Sequence, residues 1–261
     1  SVSNILREVY GNQVSIGRMG GDEFAVFLPD VKDRMWIQGQ ADEVLYRLRR
    51  QKEMIGIAEL TKRYGKLIAV DRVSLEVREG ECFALLGLNG AGKTTLIDML
   101  STQVKPSGGN ATICGYDLLS QTKEIRKIVN TSPQESAFAG NLTVRENLKL
   151  IADLYDLDRK EERIAVAIGT FGLKEKENTR CKKLSGGQQR RLSIALALLT
   201  EPKVLFLDEP TLGLDVKGRR KLWEIVEGLK GKITIFLTTH YLEEVEYLAD
   251  RAAVIAKGKI R

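Results

Sequence analysis

The stretch Gly87-Leu88-Asn89-Gly90-Ala91-Gly92-Lys93-Thr94-Thr95 fits G-x-x-x-x-G-K-[ST], the phosphate-binding loop. It follows the apolar run Cys82 to Leu86, which predicts a buried strand, and precedes Leu96 to Leu100, which predicts a helix. Glycines let backbone N–H groups turn inward around an anion, and a helix N-terminus adds partial positive charge at the same place. Lys93 is placed to hold terminal phosphates, and Thr94 offers a hydroxyl to a magnesium ion. The chemistry implied is binding of a magnesium-bound nucleoside triphosphate.

A second anion-binding helix start lies at Leu184-Ser185-Gly186-Gly187-Gln188, with Ser185 as N-cap, Gln188 as its capping-box partner and two glycines that leave N–H groups uncovered. Further on, the apolar run Val204-Leu205-Phe206-Leu207 ends in Asp208-Glu209-Pro210. His240, the chain's only histidine, follows the apolar strand Ile233 to Leu237 and Thr238-Thr239.

Around these residues the pattern predicts strands at 57–60 and 73–77, with Tyr64 between strands, and a strand begun by Ile125 to Thr131 that ends in Ser132-Pro133-Gln134-Glu135. Thr143-Val144-Arg145-Glu146 is a capping box, and apolar residues at helical spacing follow it. A further helix is expected from Lys160 to Phe171, stopped by Gly172. Residues 141–200 thus read as a helical insertion between strands of an α/β domain.

At 261 residues and 43% apolar content, the chain has the size and composition of one large globular domain, or of one plus a fragment. Cys82, Cys114 and Cys181 form no C-x-x-C pair and are expected to be reduced core residues. No apolar run approaches a bilayer span and no secretory signal opens the sequence, so the expected compartment is the cytoplasm. Residues 1–54 hold 8 Lys/Arg and 8 Asp/Glu, so the net charge of +6 falls wholly in 55–261. No basic stripe is interleaved with aromatics, and nucleic acid is not an expected partner.

The phosphate loop, the Leu184–Gln188 pentapeptide and the Val204–Pro210 strand, in that order, resemble the three defining motifs of ABC ATPases across residues 55–261. The resemblance implies a P-loop NTPase core of α/β class, with an antiparallel β subdomain near adenine and a helical subdomain that carries the signature. It implies nucleotide contacts from Tyr64, Gly87, Asn89, Gly90, Ala91, Gly92, Lys93, Thr94, Thr95 and Gln134, and metal contacts from Thr94, Gln134 and Asp208. Glu209 would be the catalytic base, with His240 and Lys93 stabilising charge. Ser185, Gly186, Gly187 and Gln188 would cover ATP held by a second subunit, paired head to tail, and Asp215 would sit in the loop that meets that subunit. The expected cofactors are ATP and Mg2+. The expected partners are a second ATPase subunit and a membrane permease, which would place the chain at the inner face of the cell membrane. Arg180-Cys181-Lys182-Lys183 and Thr211 to Asp215 resemble the stand-alone ATPases of drug-efflux or lipid-export transporters.

Gln13 to Pro29 predicts a hairpin around Gly20-Gly21-Asp22-Glu23, and Trp36 to Arg50 an amphipathic helix. Gly20 to Phe24 resembles the name-giving motif of the GGDEF family, the diguanylate cyclases. The upstream metal- and guanine-binding residues of that family have no counterpart among the 19 residues before the motif, and Gly11-Asn12-Gln13-Val14 stands where its inhibitory R-x-x-D would be. The expectation is a small, incomplete α+β fragment at 1–54, truncated or fused and without cyclase activity, joined at Lys52-Glu53-Met54 to an ATPase domain at 55–261. Two other readings remain: a soluble ABC ATPase with no permease, and a cyclic-di-GMP signalling protein built on the fragment.

Overall fold

The computed structural model describes residues 6, 9–10, 15–20, 23–27, 38–44, 53–135 and 137–261. A parallel sheet at the centre organises the larger part. Its strands are β5 (Cys82–Leu86), β8 (Val129–Ser132), β9 (Val204–Asp208), β10 (Thr234–Thr239) and β11 (Arg251–Ala256), closed at one edge by the short antiparallel β12 (Lys259–Ile260). The spatial order is β12-β11-β5-β10-β9-β8.

These strands are covered on both faces, which is why they read in sequence as unbroken apolar runs rather than alternating ones. The period of two survives in where the side chains go. Leu205 and Leu207 of β9 join a helical core with Cys82, Ala84, Ile235 and Leu237, while Val204 and Phe206 join the opposite core with Phe83, Leu85 and Phe236.

The helical core is completed by α3 (Val144–Leu154), α4 (Lys160–Thr170), α5 (Gly186–Leu198), α6 (Val216–Glu227) and α7 (Leu242–Leu248), which follow α1 (Lys93–Leu100) and α2 (Thr122–Ile128) in the chain. The other core packs α1 and α2 between the parallel sheet and an antiparallel sheet. That second sheet has the order β4-β3-β6-β7 and is built from β3 (Glu53–Tyr64), β4 (Leu67–Arg78), β6 (Gly108–Ile113) and β7 (Tyr116–Asp117). The fold is thus a three-layer α/β architecture, a parallel sheet with an antiparallel sheet on one side and a helical layer on the other.

Both predicted capping boxes form: Thr143 accepts from the Glu146 N–H and Ser185 from the Gln188 N–H, with each N3 side chain returning to the cap's N–H. Two expectations need correction. Residues 122–128 are helix, so the strand begins at Val129 and not at Ile125; Ile125 and Ile128, three apart, share one face of a helix but would lie on opposite faces of a strand, and the Glu124–Lys127 pair at helical spacing supports α2. Tyr64 ends β3 rather than lying between strands. The 141–200 insertion between β8 and β9 is helical as expected, and its last helix, α5, packs on the sheet, where Ser132 Oγ and Ser193 Oγ are hydrogen-bonded at 3.0 Å.

In the N-terminal part, β1 (Ser15–Gly20) and β2 (Glu23–Phe27) pair antiparallel as predicted, and residues 38–44 are helical. Leu6 and Val44 are buried, with Val9, Tyr10 and Val26 packed against them. Gly21 and Asp22 of the motif, residues 11–14, Trp36 and Lys52 lie outside the described residues. Cys82 and Cys181 are buried thiols outside any disulfide, and burial pushes the Cys82 thiol up to about 12. Among the described residues, no helix is long and apolar enough to cross a membrane.

Candidate functional site

Four neighbouring parallel strands end in the four segments singled out by their chemistry. The phosphate loop follows β5, His240 follows β10, Asp208 ends β9 with Glu209 next, and Gln134 lies just beyond β8. Residues separated by up to 153 positions, Gly87 to His240, therefore meet along one edge of the sheet. The carboxyl ends of parallel strands are where open α/β sheets place their ligands.

The loop's glycines are fixed by contacts. A Cβ on Gly92, at φ +106°, would lie 2.3 Å from the Ala69 carbonyl oxygen, and one on Gly87 would lie 2.6 Å from that of Ile255. Gly92 is the N-cap of α1 and no side chain caps that helix, so its first-turn N–H groups remain for an anion. Asn89 and Gly90 are exposed at the rim, Ala91 is buried and Thr95 half-buried.

Lys93 and Glu209 are each only 5% exposed and form a 2.9 Å ion pair. Lys93 Nζ also donates to the carbonyls of Gly87 at 2.6 Å and Leu88 at 3.1 Å. The other oxygen of Glu209 is hydrogen-bonded to His240 Nδ1 at 2.5 Å, so the glutamate is flanked by a lysine and an imidazole. The Glu209 backbone has φ 48°, a left-handed conformation costly for a residue with a side chain. Hydrogen bonds from its N–H to the Thr238 carbonyl at 3.1 Å and hydroxyl at 3.2 Å hold it there.

Thr94 donates to Asp208 Oδ2 at 2.7 Å, and Thr238 donates to Oδ1. Thr94, Gln134 and Asp208 line one cleft of about 270 Å3, together with Asp98. Burial, and then the Asp208 charge, raise the Asp98 carboxyl above the usual carboxylate range. A hydroxyl, an amide and a carboxylate form a hard oxygen set that fits magnesium shared with phosphate oxygens. Among the described residues, no three His, Cys, Asp or Glu side chains are grouped to hold a metal by themselves.

Tyr64 is 46% exposed at the end of β3, with Lys62 Nζ 5.0 Å from its ring centroid, so a face of the ring is free to stack. The signature residues are not brought to this site. Ser185 and Gln188 are engaged with each other, and Gly186 and Gly187 lie beside Leu214 and Gly218 at the start of α6. Asp215 caps that helix, accepting from the Gly218 N–H at 2.8 Å.

Arg190 was not marked by sequence reasoning. It is 5% exposed on α5 and donates to the carbonyls of Asp208 at 2.6 Å, Pro210 at 2.9 Å, Gln134 at 3.4 Å and Pro133. One guanidinium thus joins the Gln134 segment to the Asp208 strand. Burial lowers its pKa to about 10, leaving it charged at neutral pH. The only sequence signal was an arginine two residues past Gln188 in a helix otherwise buried from Leu192 onward.

A family model described as "ABC transporter" matches residues 70–212. The Doxorubicin resistance ATP-binding protein DrrA of Mycobacterium tuberculosis is 42% identical over 199 residues, covering 75% of this chain and 60% of that protein. Human Phospholipid-transporting ATPase ABCA3 is 42% identical over 195 residues, covering 74% of this chain but 11% of that protein. The chain therefore spans only part of the length of the curated relatives it matches. Among solved structures, cbiO1 from Clostridium perfringens, described as part of the ABC transporter complex cbiONQ, superimposes with a TM-score of 0.74 at 27% identity, over 80% of this chain and 87% of that one.

Proposed function

This chain belongs to the ABC transporter family and carries its ATPase domain, and from that premise we propose that it is the ATP-hydrolysing subunit that energises a membrane exporter. The observation that supports this most is Glu209, buried between Lys93 and His240, at the strand end beside the phosphate loop. The likeness to a drug-resistance ATP-binding protein favours an exporter. A permease would be the membrane partner, docked near the helical layer, with the chain held at the cytoplasmic face.

In the proposed cycle the triphosphate enters against the first-turn N–H groups of α1, and Tyr64 stacks on the base. Lys93 exchanges its contacts with Glu209 and the Gly87 and Leu88 carbonyls for phosphate oxygens. That frees one Glu209 oxygen to take a proton from the attacking water, while His240 orients the other. Thr94, Gln134 and Asp208 would hold a magnesium ion, which would supply charge neutralisation to the phosphates. Ser185 and Gly187 of a second subunit would close over the γ-phosphate, and the 211–215 loop would meet that subunit. ATP binding thereby favours the paired state and hydrolysis releases it.

We assign 55–261 to this ATPase and treat 1–54 as a separate structural fragment without cyclase activity. The test is ATP turnover by the purified chain before and after limited trypsin cleavage, with a parallel GTP-to-cyclic-di-GMP assay and sedimentation with membranes. ATP hydrolysis that survives cleavage near Lys52, with membrane sedimentation, is expected. Loss of turnover on cleavage would overturn the division at residue 54, cyclic-di-GMP formation would overturn the reading of the fragment, and a chain that stays in the soluble fraction favours a permease-free ATPase.

A further inference from the structure

Among the buried acids that the mechanism above leaves unused, one lies against the site. Glu244, on α7, is fully buried, and the Trp223 indole N–H donates to its Oε1 at 3.3 Å. The hydroxyls of Thr211 and Thr239 bear on the same carboxyl, as do the charges of Glu209 and Arg190. Each neighbour belongs to a different working segment. Thr211 is two residues past Glu209, Thr239 immediately precedes His240, and Trp223 is on α6, the helix capped by Asp215.

We propose that Glu244 is a positioning residue that ties the 211–215 loop to the strand end bearing His240, and so holds Glu209 and His240 in register with the surface that meets a second subunit. Two atoms make the link adjustable. Glu244 Oε2 and Thr211 Oγ1 are both buried and near enough for the hydroxyl to act on the carboxyl, yet among the described residues neither reaches full hydrogen-bond geometry. Buried polar atoms left in this state cost stability until a partner arrives. A small shift of the 211–215 loop brings them together, so movement of that loop is felt at Thr239 and His240 through a single side chain. Burial also pushes the Glu244 carboxyl up, against the opposing hydrogen bonds of Thr239, Thr211 and Trp223.

This inference rests on the roles given above to Glu209 and His240, and Glu209→Gln is run alongside to keep the two apart. Steady-state ATP turnover is measured for the full chain and for Glu244→Ala, Glu244→Gln and Trp223→Phe, with nucleotide affinity and melting temperature for each. Glu244→Ala is expected to lower kcat about tenfold, the rate equivalent of a lost buried hydrogen bond, with KM for ATP within about twofold of wild type. Glu244→Gln, which keeps an acceptor and gains a donor, is expected to retain kcat within about threefold. Trp223→Phe removes the indole N–H along with one ring of the indole but leaves the Glu244 carboxyl in place, and is expected to fall between them, which keeps the test usable if the alanine variant folds poorly. A purely structural role would instead lower nucleotide affinity and melting temperature in step with kcat and gain nothing from glutamine. Alanine at wild-type turnover, or glutamine as impaired as alanine, overturns the proposal. Undiminished turnover by Glu209→Gln would instead overturn the underlying assignment of the base.

Discussion

Glu209→Gln is expected to lower ATP turnover by about 100-fold or more while leaving ATP binding intact, because general-base assistance contributes about 10²- to 10⁴-fold. The amide keeps the shape and the contact with His240 but cannot accept a proton from water. Removing the charge also takes away the counter-ion of Lys93, which sits 2.9 Å from the carboxylate with both groups 5% exposed. Lys93 is then freer to move to the phosphates, so nucleotide affinity should stay equal or rise. With hydrolysis blocked and binding preserved, the ATP-bound pair of subunits should accumulate and elute as a dimer only when ATP and magnesium are present. The decisive measurement is turnover set beside gel filtration. A variant that hydrolyses at the wild-type rate removes Glu209 from the mechanism, and one that neither binds nor pairs shows the Lys93–Glu209–His240 cluster to be needed for folding of the site.

The second large effect is expected at Arg190. Arg190→Met preserves much of the length and apolar stem but deletes donors to four carbonyls, those of Asp208, Pro210, Gln134 and Pro133. Leaving buried acceptors unpaired costs about 1–3 kcal/mol each at most, offset in part by no longer burying a guanidinium, so a net loss of about 3 kcal/mol is expected. For a domain of this size that corresponds to a fall of about 10 °C in melting temperature. The lost bonds are also the tie between the segments bearing Gln134 and Asp208, so magnesium-dependent ATP affinity should weaken by more than affinity without magnesium. Arg190→Lys keeps the charge but reaches fewer of the divergent carbonyls, and should lie between wild type and methionine. A methionine variant that melts with the wild type would show the carbonyls are satisfied by other means.

These two residues show different kinds of legibility. Glu209 could be found from the chain alone, because it stands after an apolar run and beside Asp208 and Pro210, in order behind a glycine-rich loop and a capping box. Arg190 could not, since nothing local distinguishes an arginine that buries its head among carbonyls 18 to 57 positions away from one that faces water. Asp215 shows a third case. Resemblance marks it as a subunit contact, and the folded chain also employs its carboxylate as the cap of α6.

Local sequence was sufficient wherever function depends on backbone geometry set within a few residues. The phosphate loop, both capping boxes and the apolar strands were readable because glycine spacing, side-chain reach to the N3 amide and burial on both faces leave signatures at fixed short offsets. The start of β8 was not, because no Gly or Pro separates α2 from β8 in the sequence, and packing of Ile125 and Val129 beneath the antiparallel sheet sets where one gives way to the other. The order β5-β10-β9-β8, which sets the phosphate loop, His240, Glu209 and Gln134 side by side, was likewise decided by tertiary structure. So were the Lys93–Glu209–His240 cluster and the burial of Glu244. Pairing between strands far apart in the chain is a property of the whole buried sheet, and no window of neighbouring residues contains it.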